Sequence, residues 1–366
     1  MKFSVSLHME RFSPKQDITQ IKNETLELVQ LADRGGFCTV WTPEHHTIEF
    51  TIAPSPFQIC TWWAQHTEQI RVGVATIVAP YWTPLRLAGE AALCDHLTNG
   101  RLELGIARGA YQYEFDRMAD GLPQQEGGRY LREIVPAIRN YWAGDYEHKG
   151  EIWQVPKATS VPKPLQQPHP PIWIAARDPN TYDFAFKVGA NIMATPLSRP
   201  TAEVTILGNK FREAHAANPT VPRPKFMMLR RACLFERSED WEEPVRLSIE
   251  YGRAFENLFQ NIGEVNNGFP EAVSYDKVDG ANNYDTDAIR DALLFGTPDE
   301  VIEKLSVYEE AGVDEVALGI TFNTPFEMQR KTLELFSREV IPVFEQRAKD
   351  RVREAEKAAK AQALAS

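Results

Sequence analysis

The stretch Phe37-Cys38-Thr39-Val40-Trp41-Thr42-Pro43-Glu44-His45-His46 decides how this chain is read. Its first residues are apolar, β-branched or aromatic, which is the composition of a buried strand. A proline then closes the run, and a carboxylate and two imidazoles follow. A buried strand that delivers polar groups at its C-terminal end is how a parallel α/β barrel or open sheet builds a site. Two later runs, residues 72–80 and 102–108, also end in polar or unusual residues. The three ends are expected to face one pocket.

Outward from this stretch, strand-like and helix-like segments alternate. Strands are predicted at residues 2–7, 37–42, 70–79, 101–107, 172–176, 191–195, 225–235 and 315–320. Helices are predicted between and after them, at residues 17–34, 55–66, 84–97, 128–142, 180–188, 202–217, 240–261, 297–311 and 325–344. The first helix carries Ile18, Ile21, Leu26, Leu28 and Leu31 and stops at Gly35-Gly36. The helix at 84–97 has proline in its first turn and ends at Asn99-Gly100. Residues 147–155 read as a hairpin, and the proline-rich 156–171 as a long connection. Eight strands alternating with helices is the count of a (β/α)8 TIM barrel, an α/β fold. A doubly wound sheet fits less well, because no GxGxxG follows any strand. A P-loop is also absent from the sequence. The run 263–285, rich in Gly, Asn and Asp, reads as a polar insertion before the eighth strand and as a candidate lid. Residues 1–345 are thus expected to form one barrel domain, and 346–366 a charged helical or frayed tail.

Composition narrows the function classes. The chain has 366 residues, 43% apolar and 25% charged, as in a soluble globular protein with a large core. No apolar run reaches the roughly 18 residues of a membrane-spanning helix, and the N-terminus reads as a strand rather than a signal peptide. Cys38, Cys60, Cys94 and Cys233 are scattered without CxxC spacing. They are expected to be reduced core residues of a cytoplasmic protein. A net charge of −11 argues against nucleic acid and anionic membranes as partners.

Several residues could carry chemistry. On an extended backbone, adjacent side chains point to opposite sides, so His45 and His46 do not suit one metal. His-x-His and HExxH are both missing, and no metal site is expected. Glu44 could orient an imidazole or accept from a ligand N–H. Arg108 ends the fourth strand beside Gly109, a pairing that suits close approach of a phosphate. Arg129 opens a helix after Gly127-Gly128, where the helix N-terminus also favours anions. After the fifth strand, Ala175-Ala176-Arg177-Asp178-Pro179-Asn180-Thr181 puts small residues and then donors at a helix start. Three phosphate-competent elements without a nucleotide motif point to a mononucleotide cofactor at a barrel mouth.

With those residues in view, the chain resembles the bacterial luciferase-like family of flavin-dependent monooxygenases, of the luciferase α-subunit type. The matching stretches are Gly36 to Trp41 with Glu44-His45-His46 and Glu49-Phe50, and Val72 to Val78 with Pro80. They continue with Asn99 to Leu102, Gly105 to Gly109 with Tyr111, Pro170-Pro171-Ile172, and Gly296 to Glu300. The resemblance implies a barrel that binds reduced FMN, supplied by a separate flavin reductase. Oxygen would form a C4a-peroxyflavin that inserts one oxygen atom into a small organic substrate. In that scheme His45 and Glu44 are the catalytic residues, His45 supporting the flavin peroxide and Glu44 serving also as a flavin-site carboxylate. Ala75-Thr76 is a cis peptide against the flavin ring. Arg108 and Arg129 bind phosphate with the turn of Ala176, Arg177, Asp178 and Thr181. A homodimer is the expected assembly. Three positions depart from the family pattern: Ala107 replaces a reactive cysteine, Arg177 an acidic residue and Pro196 a tryptophan. A deazaflavin-dependent hydride-transfer enzyme and a non-catalytic partner subunit are the alternatives.

His46, Tyr81, Trp82 and Tyr111 are expected to line the substrate pocket. Tyr81-Trp82 follows Pro80 at the mouth, where exposed aromatic rings imply something that covers them. An aromatic wall there favours a flat ring, or an N-alkylated ring through cation–π attraction.

Overall fold

The computed structural model describes residues 1–365. Eight parallel strands form the barrel: β1 Lys2–Ser6, β2 Thr39–Thr42, β3 Arg71–Val78, β4 Leu102–Ala107, β5 Ile172–Ala175, β6 Asn191–Ala194, β7 Phe226–Leu234 and β8 Glu315–Gly319. Each pairs with its sequence neighbours, and β8 returns to β1 with Lys2 opposite Glu315 and Ser6 opposite Gly319. The predicted eight strands are therefore these eight, in order. The sheet has an extra short strand, Leu294–Gly296, which pairs with the C-terminal half of β7. Its three residues offer too little pattern to be read from sequence.

Strand alternation divides the core. Val5, Val40, Val72, Leu104, Ile174 and Leu318 point outward and pack under the helices, all fully buried. Trp41, Trp173, Met193, Met227 and Ala317 point inward and plug the barrel. Burying a large apolar side chain is worth about 1.5–3 kcal/mol, and both layers use this. The two plugging indoles also need acceptors. Trp41 Nε1 donates to Glu315 at 3.3 Å and Trp173 Nε1 to Glu103 at 2.6 Å. Burial, with Glu103 nearby, pushes the Glu315 carboxyl above its usual range despite hydrogen bonds from Ser4 and Trp41. The barrel interior is thus filled by side chains, and the strand ends at its C-terminal mouth are left to build a site.

A second apolar cluster covers that mouth, with Ile48, Phe50, Tyr111, Phe235, Tyr251, Tyr284 and Phe322. Much of it comes from the long helix Glu242–Gln260 and the polar insertion. The insertion folds as a small hairpin, Val265–Asn266 with Phe269–Pro270, and two single turns. The Asn257 amide nitrogen donates to the Glu264 and Glu271 carbonyls, and the Gly268 carbonyl accepts the Glu49 N–H at 2.7 Å. The insertion thus bridges the long helix and the loop after β2.

Of the expected tail, residues up to 365 continue the helix Ile341–Ala365, and residue 366 lies outside the described residues. No helix among the described residues is long and apolar enough to cross a membrane. Cys60, Cys94 and Cys233 are free and buried, and burial pushes Cys94 and Cys233 each up to about 12. Thiols this far from ionisation are packing groups rather than nucleophiles.

Candidate active site

The backbone after β2 fixes the two histidines before any side chain acts. His45 N donates to the Ala53 carbonyl at 3.1 Å, an isolated bridge that holds the loop extended. The side chains then diverge, as the extended backbone requires. His45 Nδ1 faces Glu114, at 3.1 and 3.3 Å from its two oxygens. Glu114 Oε1 also accepts the His46 amide N–H at 2.6 Å. His46 turns the other way, and its Nε2 lies 3.0 Å from Glu44 Oε1.

Glu114 was not singled out from sequence. It sits on Gln112–Met118, a seven-residue helix too short to show a periodic face, and its carboxylate is 2% exposed. The one available signal was position, a carboxylate shortly after the arginine that ends β4. Tyr111, just before this helix, stacks on the His45 ring at 5.0 Å and 16°. The tight chain path here needs glycine. Gly109 has φ +88°, and a Cβ there would lie 2.5 Å from the Phe115 ring.

A proton on Nδ1 satisfies Glu114, and Nε2 is then the basic nitrogen. Among the described residues nothing hydrogen-bonds to Nε2, so it is available to a ligand. A carboxylate on the far nitrogen fixes tautomer and ring orientation.

Glu44 does not reach His45. It is 2% exposed and saturated by protein donors. Val78 N donates to Oε2 at 2.7 Å, and Trp82 Nε1 to both oxygens at 3.0 and 3.1 Å. It therefore anchors β2 to β3 and orients His46.

This corrects the expectation for Trp82. Trp82 is 7% exposed, with its indole N–H spent on Glu44, its edge against Phe57 and the Arg86 guanidinium 4.5 Å above it. Its sequence position after Pro80 read as exposed because the buried acceptor lies far away in the chain. It is a core strut rather than a pocket wall. Tyr81, beside it, does face the site, edge-on to His46 at 5.5 Å and to Phe115 at 5.6 Å. Burial, with the Glu114 and Glu44 charges, pushes the Tyr81 phenol far above its usual range, so it stays protonated. The aromatic surface around the histidines is thus Tyr81 and Tyr111.

At the end of β3 the Ala75–Thr76 peptide is cis, with a shift in β3–β4 register at the same place. Ala75 and Ala175 both border the inner cluster, so the floor of the mouth carries small side chains. Arg108 is exposed at the end of β4 and makes no side-chain ion pair among the described residues. Gly127 opens the next helix where a Cβ would stand 2.1 Å from the Arg108 carbonyl, so only glycine brings this helix start up to Arg108. Arg129 lies two residues on, exposed, between Glu126 at 3.0 Å and Glu151 at 3.4 Å.

After β5, Ala176 is buried and Arg177 pairs with Glu203 at 3.5 Å. Asp178 caps the helix Pro179–Lys187, accepting from Thr181 N at 3.0 Å and Thr181 Oγ1 at 2.7 Å. Burial raises the Asp178 carboxyl, but the Thr181 hydrogen bonds and the Arg108 charge outweigh this and hold it below its usual range. The Thr181 hydroxyl proton is committed to Asp178. Of the arginines expected near a phosphate, Arg108 alone has no protein anion of its own. Among the described residues no cluster of three or more His, Cys, Asp or Glu is arranged to hold a metal.

Comparison with known proteins gives this geometry its context. The family model for luciferase-like monooxygenases matches residues 1–315. The oxygenase component of a flavin-dependent trigonelline monooxygenase from Acinetobacter baylyi is 43% identical over 351 residues, covering 96% of this chain and 98% of that protein. Monooxygenase RslO1 from Streptomyces bottropensis superposes with a TM-score of 0.79 at 26% identity, covering 94% of this chain and 100% of that one. The oxygenating constituent of 3,6-diketocamphane monooxygenase from Pseudomonas putida, solved with FMN, shares the fold with a TM-score of 0.73 at 17% identity, over 93% and 98% of the two chains. With a family model over most of its length and a relative matched nearly end to end, this chain belongs to the luciferase-like monooxygenase family of flavin-dependent oxidoreductases.

Proposed function

We propose that this chain is the oxygenase component of a two-component system that uses reduced FMN and O2 to place one oxygen atom on a flat heteroaromatic or N-alkylated ring. The observation that carries the reading is His45, held by Glu114 and stacked on Tyr111 with Nε2 open at the barrel mouth. A separate reductase supplies the reduced flavin, since this sequence has no dinucleotide fingerprint. The four free thiols suit the reducing cytoplasm.

The residues present fit FMN. Arg108 is an exposed guanidinium without a carboxylate of its own, beside a helix start brought close by Gly127. Such a place suits a dianionic phosphate. The small floor at Ala75 and Ala175 leaves room for a flat ring system. When bound, reduced FMN supplies two electrons and activates O2, so that one oxygen atom enters the substrate and the other leaves as water. The protein's part is binding, orientation and proton handling. Arg108 holds the phosphate. His45 Nε2 gives or takes a proton at the reacting face, and Glu114 keeps the Nδ1 proton in place meanwhile. Tyr81 and Tyr111 remain neutral and supply an apolar, water-excluding surface. The aromatic cluster of the long helix and the insertion closes the mouth from above.

The test is a reconstitution. The purified chain with NADH alone should consume no oxygen beyond background. Adding FMN and any NADH:flavin reductase should give oxygenated product, with trigonelline as the first compound to try. Rapid NADH oxidation by the chain alone, or turnover that requires a deazaflavin, would overturn the reading.

A further inference from the structure

Two consecutive arginines end the inner run of β7, and alternation sends them to opposite sides. Arg230 goes outward and is spent on backbone carbonyls of Leu197 and Ala292. Arg231 follows Met227 and Leu229 on the inner face, opposite Gly319 of β8, which has no side chain to fill the space beside it. Its guanidinium lies 4.4 Å over the Tyr251 ring and 5.9 Å over Phe255. Nη1 donates to Ser248 Oγ at 3.1 Å. Among the described residues no carboxylate pairs with it, whereas Arg177, Arg199 and Arg223 each reach one.

Glu10 and Glu256 are charges of the same cluster, but neither comes within ion-pair distance of Arg231, so the guanidinium is left without a direct anion. Two ring faces attract it but leave the edge of the fork unpaired. This edge belongs to the same wall as the histidine. Tyr111 stacks on His45 and meets Phe255 edge-on at 6.4 Å, and the Arg231 guanidinium lies 5.9 Å from the centre of the Phe255 ring. A flat molecule lying along Tyr111 and Phe255 would have one end at His45 and the other at Arg231. A planar fork with free donors matches a carboxylate in bidentate fashion.

We infer that Arg231, with Ser248 beside it, anchors a carboxylate on the substrate, so that the preferred substrates are flat aromatic acids, N-alkylated pyridinium carboxylates among them. This deepens the oxygenase reading and rests on it for the word substrate. The anchor itself is a binding site and is tested without turnover.

Full-length wild type and Arg231→Met are titrated with N-methylnicotinate and with N-methylnicotinamide, which differ only in carboxylate against amide. Binding is read by calorimetry. The wild type should prefer the acid by about tenfold or more, as expected for a charge-assisted pair. Arg231→Met should bring the acid to the level of the amide and leave the amide unchanged. If methionine does not fold by circular dichroism, Arg231→Gln, polar but uncharged, decides in the same way. Equal affinity of the wild type for both compounds, no binding of the acid, or equal losses for both in the variant would overturn the inference. So would a loss of FMN affinity without loss of riboflavin affinity, since the arginine would then serve the cofactor. A chain that binds the acid through Arg231 but yields no product with reduced FMN supports the anchor and overturns the oxygenase reading.

Discussion

The two sides of the barrel mouth are built on opposite principles. On the histidine side, where the loops after β2 and β3 meet the short helix Gln112–Met118, the polar groups are tied to one another. Glu114 holds His45 and the His46 backbone, and Glu44 holds His46, Val78 N and Trp82. On the arginine side, after β4 and β5, Arg108 has no carboxylate of its own, while Arg129 and Arg177 are occupied. An internally satisfied cluster sets geometry, and its one open atom, His45 Nε2, is where the proposed function places proton handling. The unsatisfied cation is where the same proposal places the charge of a ligand. Pairing therefore separates positioning groups from ligand-binding groups better than residue type does.

The largest effect should come from breaking the tied side at its open atom. His45→Ala should lower product formation by ~10²–10⁴, the usual range for a lost acid–base group, with oxygen released as hydrogen peroxide instead. FMN affinity should hold. Product yield unchanged in that variant would remove His45 from the chemistry. Glu114→Gln keeps the shape but not the charge, so it should show the same defect in weaker form, with a shifted pH–rate profile. A purely structural Glu114 would leave that profile where it was.

The next effect belongs to the open side. Arg108→Ala should weaken FMN by about tenfold or more, since hydrogen bonds to charged groups are worth about 1.5–3 kcal/mol. Riboflavin, which has no phosphate, should bind as before. Equal loss for both ligands would show that the residue shapes the mouth without touching phosphate.

The architecture was legible because barrel strands are buried on both faces and read as apolar runs of the right length. All eight were found, within three residues at each end. The site was legible only in part. His45 and Arg108 lie at strand ends, where sequence position alone implies the mouth, whereas the cis Ala75–Thr76 peptide, inside β3, was legible only through the family resemblance. Glu114 was missed because its partner is 69 residues away and its own helix has only seven residues. Trp82 was misread for a related reason: an aromatic pair after a proline looks exposed until its acceptor, 38 residues earlier, is known. Arg231 was hidden inside a correctly predicted strand, where the sequence does not say which of two adjacent arginines turns inward. In each case the missing information was a tertiary partner.

Trp82 offers a test of the tied side that is about stability rather than rate. Trp82→Phe keeps the ring against Phe57 but removes the N–H from Glu44. A buried acceptor that loses a donor costs about 1–3 kcal/mol, so the melting temperature should fall by several degrees, with a smaller loss of activity through His46. A variant as stable as wild type but with altered substrate preference would return Trp82 to the pocket wall.

The smallest effect should come from Arg129, and its smallness is what gives it value. Sequence alone treats Arg108 and Arg129 alike, as two phosphate-competent guanidinium groups beside glycines, one at a strand end and one at a helix start. The folded chain treats them differently. Arg129 is exposed and already shared by Glu126 and Glu151, whose hydrogen bonds and charges push its pKa above the usual value. To serve a phosphate it would have to leave both carboxylates and compete with water. Arg129→Ala should therefore change FMN affinity far less than Arg108→Ala, and the residual effect should fade as salt is raised from about 0.05 to 0.5 M, as for any screened surface charge. The measurement is FMN titration of both variants at the two salt concentrations. Equal losses for the two arginines, persisting at high salt, would mean that the Arg129 ion pairs open when FMN binds. The contrast between a tied and an open side would then hold only for the chain without its cofactor.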